Sequence, residues 1–288
     1  MYTMTPAAFD YHRPSSVDEA LALLAGNGET RALAGGHSLL PAMKLRLSTP
    51  SALVDLGGIA GLDTIEREGD ELVLGALATH AAVAASELVR EACPVLAEAA
   101  GMIGDRQVRN RGTIGGSIAH ADPAADYPTV TKALGATIVT ASRSGGRSIG
   151  ADDCFVDVFT TALEPGELIT SVRVPVTPPT VGAAYVKHSH PASRYAVVGV
   201  AAVVGLDGGT CSSARVVVGG ATGAPVAVPV DDLVGEAPTT DAIAAAAARA
   251  REAIGSPLED TYASGDFRLQ LVEVTTRRAL ASAVARAG

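Results

Sequence analysis

Cysteine is sparse and scattered. Cys93, Cys154 and Cys211 form no C-x-x-C pair. That spacing builds neither a zinc knuckle nor an iron–sulfur site, and an odd, low count suits a reducing cytoplasm. Long apolar runs are also missing. The longest, "YAVVGVAAVVGL", is too short to span a bilayer and reads as a buried strand. The start, "MYTMTPAAFDYHRP", lacks the basic-then-apolar pattern of a signal peptide. Positive charge is scarce, with 22 Lys+Arg against 31 Asp+Glu and a net charge of −9. Nucleic acid and anionic membranes need a concentrated positive field, so neither is expected as the main partner. Two common phosphate motifs are absent. No Gly-Lys dipeptide exists to make a P-loop, and "GNGETR" lacks the third glycine and preceding strand of a dinucleotide fingerprint.

What is present begins with a globular composition, 48% hydrophobic over 288 residues, enough for one large or two medium domains. "PSSVDEALALLAGNG" predicts a helix opened by the capping box Ser16-x-x-Glu19 and closed by Gly26 to Gly28. "TRALAGG" predicts a strand running into a glycine turn, "SALVDL" and "ELVLGAL" further strands, and "AAVAASELVREA" and "PVLAEAAGMI" helices. "GATIVTA" and "RSIGA" flank "SRSGG" in a hairpin pattern. Three prolines between Pro175 and Pro179 mark a linker. Beyond it stand the strands "YAVVGVAAVV" and "SSARVVVGGA" and two closing helices. The reading is α+β throughout: a two-lobed part over 1–177, with lobes of about 1–57 and 58–177, and a smaller α+β part over 178–288.

Two glycine stretches carry the chemistry. In "RALAGGHSLLPAMKLRL" the pair Gly35-Gly36 is followed by His37-Ser38; in "RNRGTIGGSIAHADPAADYP" the core is Thr113 to Ser117, with Arg106, Arg109 and Arg111 just upstream. Taken alone, the first reads more readily as a tight strand-to-helix turn than as a backbone N–H cradle for phosphate, and the second again offers consecutive N–H groups. Two such turns from separate segments suit a pyrophosphate. Asp122 and Asp126 follow, placed either to accept from ribose or ribityl hydroxyls or to serve as turn residues beside a proline. "GRSIG" matches a nucleophile elbow around Ser148, but the polar turn before it denies the required strand. His188 and His190 have no carboxylate or cysteine close by in sequence, so a surface pair is favoured over a metal site. Lys187, one of three lysines, reads equally as an ammonium over an electron-rich ring or as one pointing to solvent, and Tyr195, one of ten aromatic residues, reads on its own as strand packing.

Together, "AGGHSLLPAMKLRL" and "VRNRGTIGGSIAHADPAADYP" resemble the two FAD-binding loops of the medium subunit of molybdenum hydroxylases, the xanthine dehydrogenase and carbon monoxide dehydrogenase group. "YHRPSSVDEALALLAGNG", "LEPGELITSVRVP" and "YVKHSHPASRYAVVGVAAVV" extend the likeness over nearly the whole chain. It implies an FAD domain of the vanillyl-alcohol oxidase/PCMH type followed by the family's C-terminal domain. It places Ala34, Gly35, Gly36, His37, Ser38 and Leu39, with Thr113, Ile114, Gly115, Gly116 and Ser117, around the FAD pyrophosphate. Asp126 falls at the ribityl or phosphate region, Ile169 in the flavin or adenine pocket, and Lys187 and Tyr195 near the isoalloxazine. Ser117 departs from the Asn or Asp of many relatives, and Leu39-Leu40 fit the carbon monoxide dehydrogenase-like branch.

The resemblance further implies a large subunit with a molybdenum cofactor and a small one with iron–sulfur clusters, in a dimer of heterotrimers. This chain then carries FAD alone, with no catalytic residue and no metal of its own, and passes electrons to a quinone, NAD or another acceptor. A cytoplasmic location follows, with attachment to the inner membrane face only through partners. The substrate, whether carbon monoxide, a purine, a nicotine-type heterocycle or an aldehyde, would bind elsewhere. The ten aromatic residues suggest broad partner contact through small side chains rather than aromatic anchors. A self-contained flavoenzyme and a non-enzymatic binding module are the competing readings.

Overall fold

A computed structural model describes residues 5–26 and 29–287. The first unit is a parallel three-stranded sheet. It takes in β1 (Asp10–His12), α1 (Val17–Leu24), β2 (Thr30–Leu33), α2 (Leu39–Lys44) and β3 (Ala52–Asp55), with strand order β1-β3-β2. The expected capping box opens α1. Ser16 accepts from the Glu19 N–H at 3.2 Å, while the Glu19 carboxylate reaches back to the Ser15 N–H at 2.8 Å rather than to that of Ser16. Residues 27 and 28 of the expected helix stop lie outside the described residues.

The second unit is an antiparallel sheet of order β4-β5-β10-β6-β7. It begins with β4 (Ile65–Glu68), β5 (Glu71–Gly75), α3 (His80–Ala85), α4 (Glu87–Ala92), α5 (Pro94–Met102) and α6 (Arg106–Arg109). There follow α7 (Ile114–His120), α8 (Asp126–Ala133), β6 (Thr137–Ala141), β7 (Ser148–Gly150), α9 (Ala151–Cys154), β8 (Phe155–Asp157), β9 (Thr160–Thr161) and β10 (Leu168–Pro175). The single helix expected over "AAVAASELVREA" is two. Ser86 leaves the helical region, ends α3, and its hydroxyl accepts from the Val89 N–H at 3.3 Å to start α4. Ser148 lies in β7, paired with Val139, so "GRSIG" is strand and not a nucleophile elbow.

The last unit is a sheet of order β11-β12-β13-β14, from β11 (Val181–Ser189), β12 (Ala196–Asp207), β13 (Thr210–Gly219) and β14 (Val226–Val228), followed by α10 (Thr240–Glu252) and α11 (Gly265–Arg286). β12 is apolar nearly end to end because both of its faces are covered. Val198, Val200, Ala202 and Val204 pack with α10 and α11, while Ala201 joins the core of the preceding unit. The same alternation in β11 sends Ala184 one way and Ala183 and Tyr185 the other. One hydrophobic core therefore crosses from the second unit into the third.

Candidate functional site

A cavity of about 720 Å³ opens between these units, walled by both glycine stretches, α7, the start of β10 and the turn before β12. Its first wall follows from β2. The strand ends at Leu33, and Gly36 takes a left-handed φ of 76°, which turns the chain before α2. Among the described residues the N–H groups of Gly35, Gly36, His37 and Ser38 have no protein acceptor. Leu40 and Ala42 bond back to the Gly36 and Ser38 carbonyls, at 3.0 and 3.1 Å. Successive free donors at a helix entrance are what an anionic pyrophosphate requires.

The second stretch is built differently. Thr113 caps α7 by accepting from the Gly116 N–H at 3.1 Å, and Ser117 donates to the Thr113 carbonyl at 3.0 Å. The Ile114 and Gly115 N–H groups bond the Ala78 and Ala76 carbonyls at 3.0 and 2.9 Å. The donors its sequence suggested are thus spent holding α7 on the segment after β5. Thr113, Gly115, Gly116 and Ser117 line the cavity, but Ile114 turns into the core and is fully buried there. Gly35 is needed for a reason the sequence does not display. A Cβ there would strike the Arg111 carbonyl and stand 2.8 Å from the Gly112 Cα, so the two turns brace each other backbone to backbone.

Asp126, the first residue of α8, is 3% exposed at the cavity wall. One carboxylate oxygen takes the Tyr185 hydroxyl at 2.7 Å and the Lys187 ammonium at 2.8 Å. Burial pushes its pKa up, against the pull of Lys187 and Tyr185. The Lys187 ammonium also donates to the Met102 carbonyl at 3.1 Å and the Arg194 carbonyl at 2.9 Å. Lys187 therefore stands behind the wall, tying α5, α8 and the turn before β12 together, and is not among the lining residues. Tyr195 does line the cavity, and burial and the Asp122 carboxylate push its phenol up, against the pull of the Ser38 hydroxyl. Ile169 lines it from β10, at a bulge. Asp122 lines it too, while one of its oxygens accepts from the Ala124 N–H at 2.9 Å, so it is a turn residue as well.

Three wall residues carry little signal in the sequence. His80, at the start of α3, is 5% exposed, and its pKa is pushed down to about 4 by burial, then by His37 and Arg109. Glu167 is held down to about 2 by Arg147, whose Nε donates to it at 2.7 Å. Phe159 keeps a left-handed φ of 51° and stacks on His120 at 4.9 Å. His188 and His190 do not form a metal pair. They pack on Phe267 and Tyr262, and among the described residues no His/Cys/Asp/Glu group could hold a metal. Nor is any described helix long and apolar enough to cross a membrane.

The chain is similar to known proteins over nearly its whole length. Residues 7–177 match the FAD binding domain in molybdopterin dehydrogenase, and 183–283 the CO dehydrogenase flavoprotein C-terminal domain. The chain is 40% identical to the carbon monoxide dehydrogenase medium chain of Afipia carboxidovorans, over 99% of each chain. It is also 40% identical to the 6-hydroxypseudooxynicotine dehydrogenase complex subunit alpha of Paenarthrobacter nicotinovorans, over 99% of this chain and 97% of that one. A chain of the solved carbon monoxide dehydrogenase from Hydrogenophaga pseudoflava superposes with a TM-score of 0.95 at 39% identity, covering 98% of this chain and 99% of that one.

Proposed function

The chain belongs to the FAD-binding subunits of the molybdenum hydroxylases, and from that premise we propose that it holds FAD with the pyrophosphate on Gly35–Ser38 and the isoalloxazine toward Tyr195. The observation that carries this placement is the row of free N–H donors opening into a cavity of about 720 Å³, a size suited to a large, mostly enclosed ligand. When bound, FAD supplies reversible electron chemistry. The residues of this chain orient it and keep water away. Ser38 and Tyr195 both line the cavity, the Lys187–Asp126 pair holds the segments behind Tyr195, and His80 stays neutral at neutral pH.

The chain acts as an electron-transfer subunit of a multi-subunit oxidoreductase. It takes electrons from iron–sulfur clusters on a small subunit and yields them to an external acceptor, while a large subunit carries the molybdenum cofactor. Curated relatives are named for carbon monoxide, nicotine, glyceraldehyde and caffeine, which supports a substrate site on another polypeptide. The division at 177/178, the lobes of about 1–57 and 58–177, a dimer of heterotrimers and a cytoplasmic setting complete the reading. The break between the sheet ending at Pro175 and the one starting at Val181 supports that division.

Purified chain should be yellow, should release all its flavin on acid precipitation, and should copurify with the two partner subunits. Flavin left on the denatured polypeptide overturns non-covalent binding. Oxidation of a carbonyl, a heterocycle or carbon monoxide by this chain with FAD alone replaces the relay with a self-contained flavoenzyme.

A further inference from the structure

His80 is a buried titratable group in the cavity wall that no protein group engages. We propose that His80 is the proton-taking residue of the pyrophosphate site: its imidazole gains a proton when the dianion settles on the first glycine turn, so the chain holds FAD more tightly in mild acid. The inference rests on the FAD reading above and deepens it at the phosphate end of the site.

A layered contact leads from the glycine turn to the ring. A Cβ on Gly35 would stand 2.8 Å from the Gly112 Cα, and a Cβ on Gly112 would stand 2.5 Å from the His80 Nε2. Gly112 alone thus lies between the imidazole and Gly35, and it has no side chain to shield one from the other. The His80 N–H fixes this stack by donating to the Gly112 carbonyl at 2.9 Å, beside the Thr79–Thr113 bridge. The ring lines the cavity and is 5% exposed. Neither of its nitrogens bonds a protein group among the described residues, and Nδ1 is buried as well. A buried polar side chain without a protein partner marks a place for a ligand. The Tyr127 hydroxyl, on a ring 5.3 Å away, is buried and unpartnered too, and burial pushes its phenol far up, so it stays neutral.

Charge then selects the ligand. Burial does most to oppose protonation of His80, followed by His37 from the turn before α2 and Arg109 from α6. Arg109 is anchored on the Ile103 and Gly104 carbonyls at 3.0 and 3.1 Å. The carboxylates of the packed elements are spent elsewhere. Asp126 of α8 is taken by Lys187 and Tyr185, Glu98 of α5 by Arg286, and Asp105 by the Val108 N–H, while Glu87 and Glu91 of α4 are exposed. Three cation-forming side chains therefore meet beside a row of free N–H donors with no carboxylate acting on His80, in a chain of net charge −9. The missing partner is an anion, and a doubly esterified pyrophosphate brings two negative charges that do not titrate near neutrality. Beside that charge the imidazole regains the proton that burial denies it. A return to the ordinary value of 6.5, from about 4 in the free chain, makes FAD bind about tenfold more tightly at pH 5.5 than at pH 7.5.

Histidine ring NMR on the full chain, assigned through the backbone, should show the His80 titration midpoint moving from about 4 to about 6.5 when FAD binds. Titration calorimetry at pH 6.0, in buffers of different ionisation enthalpy, should show net proton uptake on FAD binding. ADP-ribose carries the same pyrophosphate and no isoalloxazine, and it should give equal uptake. Most of the uptake should vanish in His80→Asn and survive in His37→Asn. FAD affinity should rise about tenfold from pH 7.5 to 5.5 in wild type and less than twofold in His80→Asn. If His80→Asn does not fold, the wild-type midpoint and the ADP-ribose uptake decide alone. A midpoint unmoved by FAD, uptake that follows His37, or uptake with FAD and none with ADP-ribose overturns the proposal. A chain that binds no FAD, alone or with its partner subunits, overturns the parent reading and this one with it, whereas FAD bound with the same affinity at both pH values overturns this one alone.

Discussion

His80 shows at the scale of one residue how the site treats charge. Its imidazole is nearly buried beside His37 and Arg109, and burial does most to push its pKa from 6.5 to about 4. The folded chain therefore refuses a proton that the unfolded chain accepts. Its stabilising contribution is complete above pH 6.5 and is lost as pH falls toward 4. The loss amounts to about 3 kcal/mol across that window. Glu167, held down to about 2, contributes its loss only below its ordinary value of 4.5, so the two effects are separable. Thermal melts should show wild type losing stability between pH 6.5 and 4, and His80→Asn should flatten that slope. Equal slopes in the two proteins would mean that another group titrates there.

At the scale of elements, the two glycine stretches matter as a pair. A methyl at position 35 meets the Arg111 carbonyl, so Gly35→Val should destabilise the chain even without flavin, by about 3 kcal/mol. Gly116→Val acts by a second route, since its Cβ would press to 2.8 Å on the Thr113 hydroxyl that caps α7. Urea midpoints of the flavin-free variants decide this. An unchanged midpoint with lost FAD would show that these glycines only make room for phosphate. Local chemistry made much of this legible. Ser16 and Glu19 announce α1, and alternating valines announce β12. Other features depend on partners distant in sequence. Nothing near Ile114 says that it faces the core, and nothing near Lys187 says that its ammonium is taken by Asp126, Met102 and Arg194. β4 gives no strand signal because "IERE" is a charged edge strand, and charge there blocks edge-to-edge pairing. His80 sits in an alanine-rich run where burial cannot be read locally.

The whole molecule behaves as one body because its core is shared. Ala183, Tyr185, Ala201 and Val217 of the last sheet pack into the same cluster as Leu74, Ile114 and Tyr127. Polar ties reinforce that seam. Arg286 of α11 bonds Glu98 of α5 at 2.8 Å and the Ala183 carbonyl at 3.0 Å, and the Lys187–Asp126 pair is buried on it. An interdomain surface so apolar gives the C-terminal part little reason to fold alone. Aromatic side chains also reach the surface. Phe159, Tyr195, Tyr262 and Phe267 are all exposed, so the surface does offer aromatic anchors. Calorimetry of the flavin-free chain should give one transition whose calorimetric and van't Hoff enthalpies agree. The fragment 178–288 should lack a cooperative melt by near-ultraviolet circular dichroism. Two resolved transitions, or a fragment that melts cooperatively by itself, would show that the shared cluster couples the parts too weakly to make them one folding unit.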